Sequence, residues 1–210
     1  MHLTHEEVRV LASLVEKQLS TPQYYPLSLN ALVLACNQKT NRDPVTDYED
    51  AEVEAVVEGL LTKRLLGRVT GAGSRVVKYR HALLERWGLP DGEMALLAEL
   101  MLRGPQTTGE LRARAERMHV FDTLDQVETA LHVLEQHDPP LATLLPRQPG
   151  QKEARYAHLL AGTPTVEATP APEAPHNPSR VASLEAEVAA LTARIEALEA
   201  RFDTFRQQFE

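Results

Sequence analysis

Cysteine is almost missing from this chain: Cys36 is the only one among 210 residues. An intramolecular disulfide is therefore excluded, and so is a cluster of thiolates around a metal, which suits a reducing interior. No hydrophobic run approaches membrane-spanning length. The start, Met1-His2-Leu3-Thr4-His5-Glu6-Glu7, lacks both the basic and the apolar parts of a secretory signal. The expectation is a soluble cytoplasmic protein with no membrane partner.

Catalytic constellations are missing as well. His5-Glu6 lacks the second histidine of a zinc helix, and His132 and His137, five positions apart, do not share one helix face. Gly71-Ala72-Gly73-Ser74 has no Lys-Ser/Thr after it and no helix to open, so it reads as a hairpin turn and not as a phosphate loop. Cys36 falls on the apolar side of a helical segment and reads as a core thiol. The expectation is a protein that is not an enzyme and holds no cofactor and no metal.

Acid is missing from one stretch in particular. The formal charge is -8 and the hydrophobic content 43%, enough for packed cores. Residues 1–87 carry 11 Lys+Arg against 11 Asp+Glu, residues 88–162 carry 7 against 11, and residues 163–210 carry 4 against 8. Everything from Gly59 to Leu84 is free of acid yet holds Lys63, Arg64, Arg68, Arg75, Lys78 and Arg80.

What is there, read in order, is a series of capped amphipathic helices. Thr4-His5-Glu6-Glu7 has the form of a capping box, and Val8, Leu11, Val15 and Leu19 line one face of a helix over Thr4 to Leu19. Pro22 and Pro26 break the chain before a second helix over Leu27 to Asn37. A polar loop, Gln38 to Pro44, leads to Thr46-Asp47-Tyr48-Glu49, a second capping box, and to a third helix with Val53, Val56, Val57, Leu60 and Leu61 inward. The period then changes to that of strands: Leu65 to Thr70 and Arg75 to Arg80, joined by the glycine-rich turn, form a β-hairpin.

The second half repeats this order. Asp91 caps a helix carrying Met94, Leu97, Leu100 and Met101, and Gly104-Pro105 stops it. Thr107 with Glu110 and Thr123 with Gln126 open two more helices, and Leu141 to Leu145 and Glu153 to Leu159 form a second, weaker hairpin. Pro22-Gln23 against Pro105-Gln106, Leu32 against Leu111, Val53 against Val127 and Tyr79-Arg80-His81 against Tyr156-Ala157-His158 give offsets of 83, 79, 74 and 77. Such a series indicates duplication, with differences confined to loop length.

Three helices and a hairpin, twice, is the order of tandem winged helix-turn-helix domains. The fold class is thus α+β, mainly α with small β-hairpins, with domains at 1–87 and 88–162. A Pro-rich linker follows at 163–179, with Pro164, Pro170, Pro172, Pro175 and Pro178 in an extended segment. From 180 to 210 a coiled-coil helix is predicted. Val181, Leu184, Val188, Leu191, Ile195, Leu198, Phe202, Phe205 and Phe209 alternate at spacings of 3 and 4, the period of about 3.5 residues of a coiled coil. Branched residues at one seam position and Leu at the other favour a parallel dimer, so self-association through these heptads is expected.

Between Leu3 and Leu160 the sequence resembles the YceH-like family of bacterial proteins of unknown function. The residues that carry the resemblance are Tyr25-Pro26-Leu27-Ser28-Leu29-Asn30-Ala31-Leu32, Cys36-Asn37-Gln38-Lys39, Asn41-Arg42-Asp43-Pro44-Val45, Ser74-Arg75-Val76-Val77-Lys78-Tyr79, Leu102-Arg103-Gly104-Pro105-Gln106-Thr107, Gly109-Glu110-Leu111-Arg112, Pro149-Gly150 and Arg155-Tyr156. The resemblance implies tandem winged helices, in agreement with the repeat, and brings no catalytic residue with it.

In a DNA-binding winged helix the third helix reads base edges in the major groove and the wing touches the backbone. The residues placed for such contact are Lys63 and Arg64 at the hairpin root, Arg68, Arg75, Lys78 and Arg80 on the hairpin, and Lys39 and Arg42 in the helix-turn-helix turn. A solvated strand face balancing the acidic helix beside it, and a polar surface loop, are the plainer accounts of the same residues. The third helix itself begins with Asp47, Glu49, Asp50, Glu52 and Glu54, of the wrong sign for a phosphate. Acids in the first turn answer to the helix dipole alone, but Glu54 and Glu58 lie further in. Two functions follow from this pattern. One is a nucleic-acid-associated, transcription-regulatory protein touching the DNA backbone through its first wing. The other is a protein-protein interaction scaffold, with a partner at the acidic helix 47–63 and no DNA at all.

Overall fold

Thr4 opens the first helix as its spacing predicts. Its hydroxyl accepts from Glu7 N at 3.2 Å while the Glu7 carboxylate accepts from Thr4 N at 3.1 Å, and helix α1 runs His5–Ser20. In this computed structural model residues 2–70, 76–148 and 150–162 are described. Arg75, the linker and the heptad residues Val181 to Phe209 lie outside the described residues.

After α1 come strand β1 (Leu27–Ser28), helix α2 (Leu29–Cys36), helix α3 (Asp50–Thr62) and strands β2 (Leu66–Val69) and β3 (Lys78–His81). The strands form an antiparallel sheet in the order β1-β3-β2, with Leu27 opposite Tyr79 and Arg68 opposite Tyr79 from the other side. Leu27 and Ser28 were expected inside the second helix. Instead Ser28 is its cap, accepting from Ala31 N at 3.4 Å, and the two residues add a third strand to the hairpin.

The predicted capping box at Thr46 is also displaced. Asn37 Oδ1 accepts from Tyr48 N and Asn37 Nδ2 donates to Tyr48 O, both at 2.8 Å, which holds Thr46 to Tyr48 extended. Helix α3 consequently starts later, with the Glu52 carboxylate accepting from Glu49 N at 2.8 Å. At its other end Arg64 takes the left-handed conformation, φ 57°, and Leu65 N donates to Leu60 O at 2.9 Å, an ending that glycine usually provides.

Helix α4 (Leu83–Trp87), too short to show a helical period in the sequence, joins the halves and stops at left-handed Gly88. Then follow α5 (Asp91–Arg103), α6 (Thr108–Ala115), α7 (Leu124–Gln136) and the antiparallel pair β4 (Ala142–Leu145) and β5 (Arg155–His158). Thr107 and Thr123 cap α6 and α7 as expected, accepting from Glu110 N and Gln126 N. Gln106 pairs with Tyr156 in an isolated antiparallel bridge, as Leu27 pairs with Tyr79. The structural partner of Pro105-Gln106 is therefore Pro26-Leu27 and not Pro22-Gln23, because the strand that precedes each second helix sets the register.

One hydrophobic core runs through all these elements. Its centre is the packing of α1 on α5, the first helices of the two halves. Every residue of α1 from Glu7 to Glu16 is buried, and so is every residue of α5 from Met94 to Leu102. A single apolar face would leave half of each helix wet. Here the second face of each is covered by the other half, and charged residues go in with it. Backbone pairing of Leu3 N with Leu160 O, at 2.7 Å, ties the beginning of the first half to the end of the second.

Candidate functional site

Helix α3 turns Val53, Val57 and Leu60 into the core and leaves Asp50, Glu52, Glu54 and Glu58 exposed, with Asp47 and Glu49 exposed just before it. No Lys or Arg lies between Val45 and Thr62. Beside this face stands the first hairpin, and two of its cations are turned back onto the protein. Arg68 is paired with Glu58 of α3, and Arg80 with Glu85 of α4. Hydrogen bonding and charge from Glu58 raise the Arg68 guanidinium above its ordinary value. Lys63 binds both carboxylate oxygens of Glu7, at 2.7 and 2.6 Å, and so anchors the C-terminal end of α3 to α1. Lys39, Arg64 and Lys78 are exposed and form no ion pair among the described residues.

Arg42 corrects the sequence reading outright. Expected in an exposed turn, it is 6% exposed. Asn41 takes the left-handed conformation, φ 58°, which a short polar side chain tolerates better than most. In the turn it helps to form, Arg42 points inward, donating to Ala35 O at 2.7 Å and to the Glu16 carboxylate at 2.5 and 3.2 Å. A side chain so held has no surface to give to a phosphate.

The same contact opens onto a cluster that sequence reasoning missed. Arg117, after α6, pairs with both Glu16 of α1 and Glu99 of α5. Arg103 stands 3.7 Å from Glu99 and donates to Asn41 Oδ1 at 2.7 Å. Burial works to raise the Glu16 carboxyl, but Arg42 and Arg117 overcome it and leave it below its usual range. For Glu99 burial prevails over Arg117 and Arg103, and its pKa is raised. Burial likewise opposes the charge on Arg117, and the two carboxylates more than restore it. One signal was present in the sequence: Glu16 and Glu99 each interrupt the apolar stretch of a helix that occupies the same place in its half. An acid at equivalent places of two otherwise apolar helices marks a shared interior partner.

Of the recurrent Tyr-His pairs, the first closes the core, while Tyr156 and His158 are only half-buried. Tyr79 and His81 are buried, and His81 N donates to the Tyr25 hydroxyl at 2.8 Å. Burial pushes the Tyr25 phenol up to about 12 and pulls the His81 imidazole down to about 4. His158 is brought down to about 4 by burial and by His5.

Fold and surface together define an α+β protein, mainly helical, that shows solvent an acidic helix flanked by a small hairpin whose Arg68 and Arg80 are engaged. The chain belongs to the family described as protein of unknown function DUF480, whose model matches residues 3–151. This is consistent with the YceH-like resemblance. It is similar to a UPF0502 protein of Geotalea uraniireducens, 53% identical over 100% of this chain and 99% of that one. It is similar also to UPF0502 proteins of Geobacter sulfurreducens, 53% identical over 99% and 98% of the two chains, and of Azoarcus sp., 51% identical over 97% and 92%. No helix of the described residues is long and apolar enough to cross a membrane.

Proposed function

We propose that this protein is a non-enzymatic tandem winged-helix module whose business is protein interaction, with the acidic face of α3 docking a basic segment of a partner. The winged-helix reading is supported by the element order α1-β1-α2-α3-β2-β3, by the sheet order β1-β3-β2, and by the matching Gln106 to Tyr156 bridge in the second half. The function rests on one observation above all. The helix that would enter a groove exposes Asp50, Glu52, Glu54 and Glu58, and the wing arginine nearest to it, Arg68, is spent on Glu58. Against a polyanion such a face is repulsive at every approach; against a basic segment it steers and orients.

The other reading, DNA backbone contact through the first wing, is favoured by the exposed and unengaged Lys39, Arg64 and Lys78. Three such cations among the described residues make a small electrostatic footprint, since retention on DNA grows with each phosphate neutralised. Pairing of two copies through Val181, Leu184, Val188, Leu191, Ile195, Leu198, Phe202, Phe205 and Phe209 belongs to the same proposal and rests on the heptad pattern alone.

Site-specific photo-cross-linking from position 54, in the full chain inside its native cell, tests the function. The expected product is a discrete protein adduct that disappears when Asp50 and Glu58 are both replaced by Lys. A nucleic-acid adduct, or a protein adduct indifferent to those replacements, would contradict the reading.

A further inference from the structure

The N-terminal part of α1, residues 43–48, the end of α5 and the residues from Ala157 to Gly162 enclose a cavity of about 480 Å³, within the size range of small-molecule sites. Much of its wall is apolar, from Val8, Pro44, Met101, Pro105, Ala157 and Ala161. Into this wall is set Arg9, only 5% exposed. Its guanidinium donates to two neutral carbonyls, Cys36 O at 3.3 Å and Pro44 O at 2.7 Å, and among the described residues it has no ion pair. Asp43 lines the same cavity without pairing with it.

The contrast with the other interior arginines is specific. Arg42 and Arg117 are each matched by carboxylates. Arg9 has no carboxylate at ion-pair distance and feels Asp43 only from further off, so its charge is incompletely compensated, a condition that is costly away from water unless a counter-ion arrives. A guanidinium offers a planar fork of N–H donors, and Arg9 has donors beyond the two that its carbonyls occupy. His158 also lines the cavity, and its buried Nδ1 has no hydrogen-bond partner among the described residues. A built pocket with one unmatched cation, an orphan polar atom and an apolar remainder is the pattern of a site that orients one charged end of an otherwise hydrophobic molecule.

We propose that this cavity binds a small organic monocarboxylate, its carboxylate on Arg9 and its apolar body against Val8, Met101 and Ala161. A dianion such as inorganic phosphate is disfavoured, because a single unmatched cation faces it and Asp43 stands on the same wall. The ligand touches α1 and the 43–48 segment on one side and α5 and the residues after β5 on the other, so it bridges the two halves of the fold.

Calorimetric titration of the full chain with octanoate and with phenylbutyrate tests the site, with octanol and inorganic phosphate as controls. Saturable binding of either acid is expected, and the two arms tell an extended body from an aromatic one. Octanol and phosphate should bind at least about tenfold more weakly. Arg9→Met should weaken the acid by a similar factor, and Ala161→Trp, which fills the cavity from a half-buried position, should abolish binding while the unfolding midpoint stays in place. If Arg9→Met fails to fold, Ala161→Trp and the octanol comparison decide. No saturable binding of either acid, octanol binding as tightly as octanoate, or wild-type affinity in Ala161→Trp overturns the proposal.

Discussion

Charge is handled in opposite ways at the α1–α5 interface and on the α3 face. At the interface Glu16 and Glu99 are fully buried, and each is met by more than one arginine. On the surface Arg68 and Glu58 are both about half exposed, at 52% and 54% of the side chain, and meet as a single pair. The first arrangement gives the two halves one mutual orientation, because an unmatched charge there has no water to turn to. The second cancels positive charge on the first hairpin while adding little to stability. A cation count taken from sequence therefore overstates what the hairpin offers to a polyanion.

The sharpest way to break this contrast is to remove an interior partner. Arg42→Met leaves Glu16 short of its main donor and should lower unfolding free energy by about 3–5 kcal/mol, read by urea titration. A loss no larger than that of a surface pair would erase the distinction. Acid should act on the interior next. His81 is 4% exposed and its pKa is about 4 in the fold, against about 6.5 unfolded. On acidification the unfolded chain takes up the proton first, so this stability is present above pH about 6.5 and is lost as the pH falls towards 4, amounting to about 3 kcal/mol. His81→Gln should flatten the stability profile over that window.

Smaller effects sharpen the comparison from the surface side. Thr107→Ala removes the capping-box acceptor of α6 and should cost about 1 kcal/mol in the same titration. Arg64→Gly, at a left-handed position where a side chain is strained, should leave the fold as stable as before or raise its stability by about 0.5–1 kcal/mol, although it deletes a cation. Glu58→Gln should leave the urea midpoint within error of the wild type, since its partner Arg68 is exposed.

Much of the fold is legible from local pattern. The capping boxes at Thr4 and Thr107 and the apolar spacing of Val53, Val57 and Leu60 identify helices from side chains a few positions apart, and the change of period after Leu65 identifies the hairpin. What the pattern does not hold is long-range pairing. Leu27 joins a sheet because Tyr79, far along the chain, presents an open strand edge to it, and α3 starts late because Asn37 holds Tyr48. The interior charges are hidden for the same reason. Arg42 reads as one polar residue in a polar loop, and only the arrival of Glu16 and Arg117 shows where it goes. The acidity of α3 was plain from sequence, whereas the engagement of Arg68 and Arg80 required the fold.

The most direct measurement is fluorescence anisotropy of a labelled DNA duplex titrated with the full wild-type chain across a salt series. No retention is expected even at low salt, and none gained or lost on changing Arg68, Lys78 and Arg80 to Ala. Retention that weakens as salt rises, and falls further in that triple variant, would contradict the protein-docking proposal and return the first hairpin to DNA.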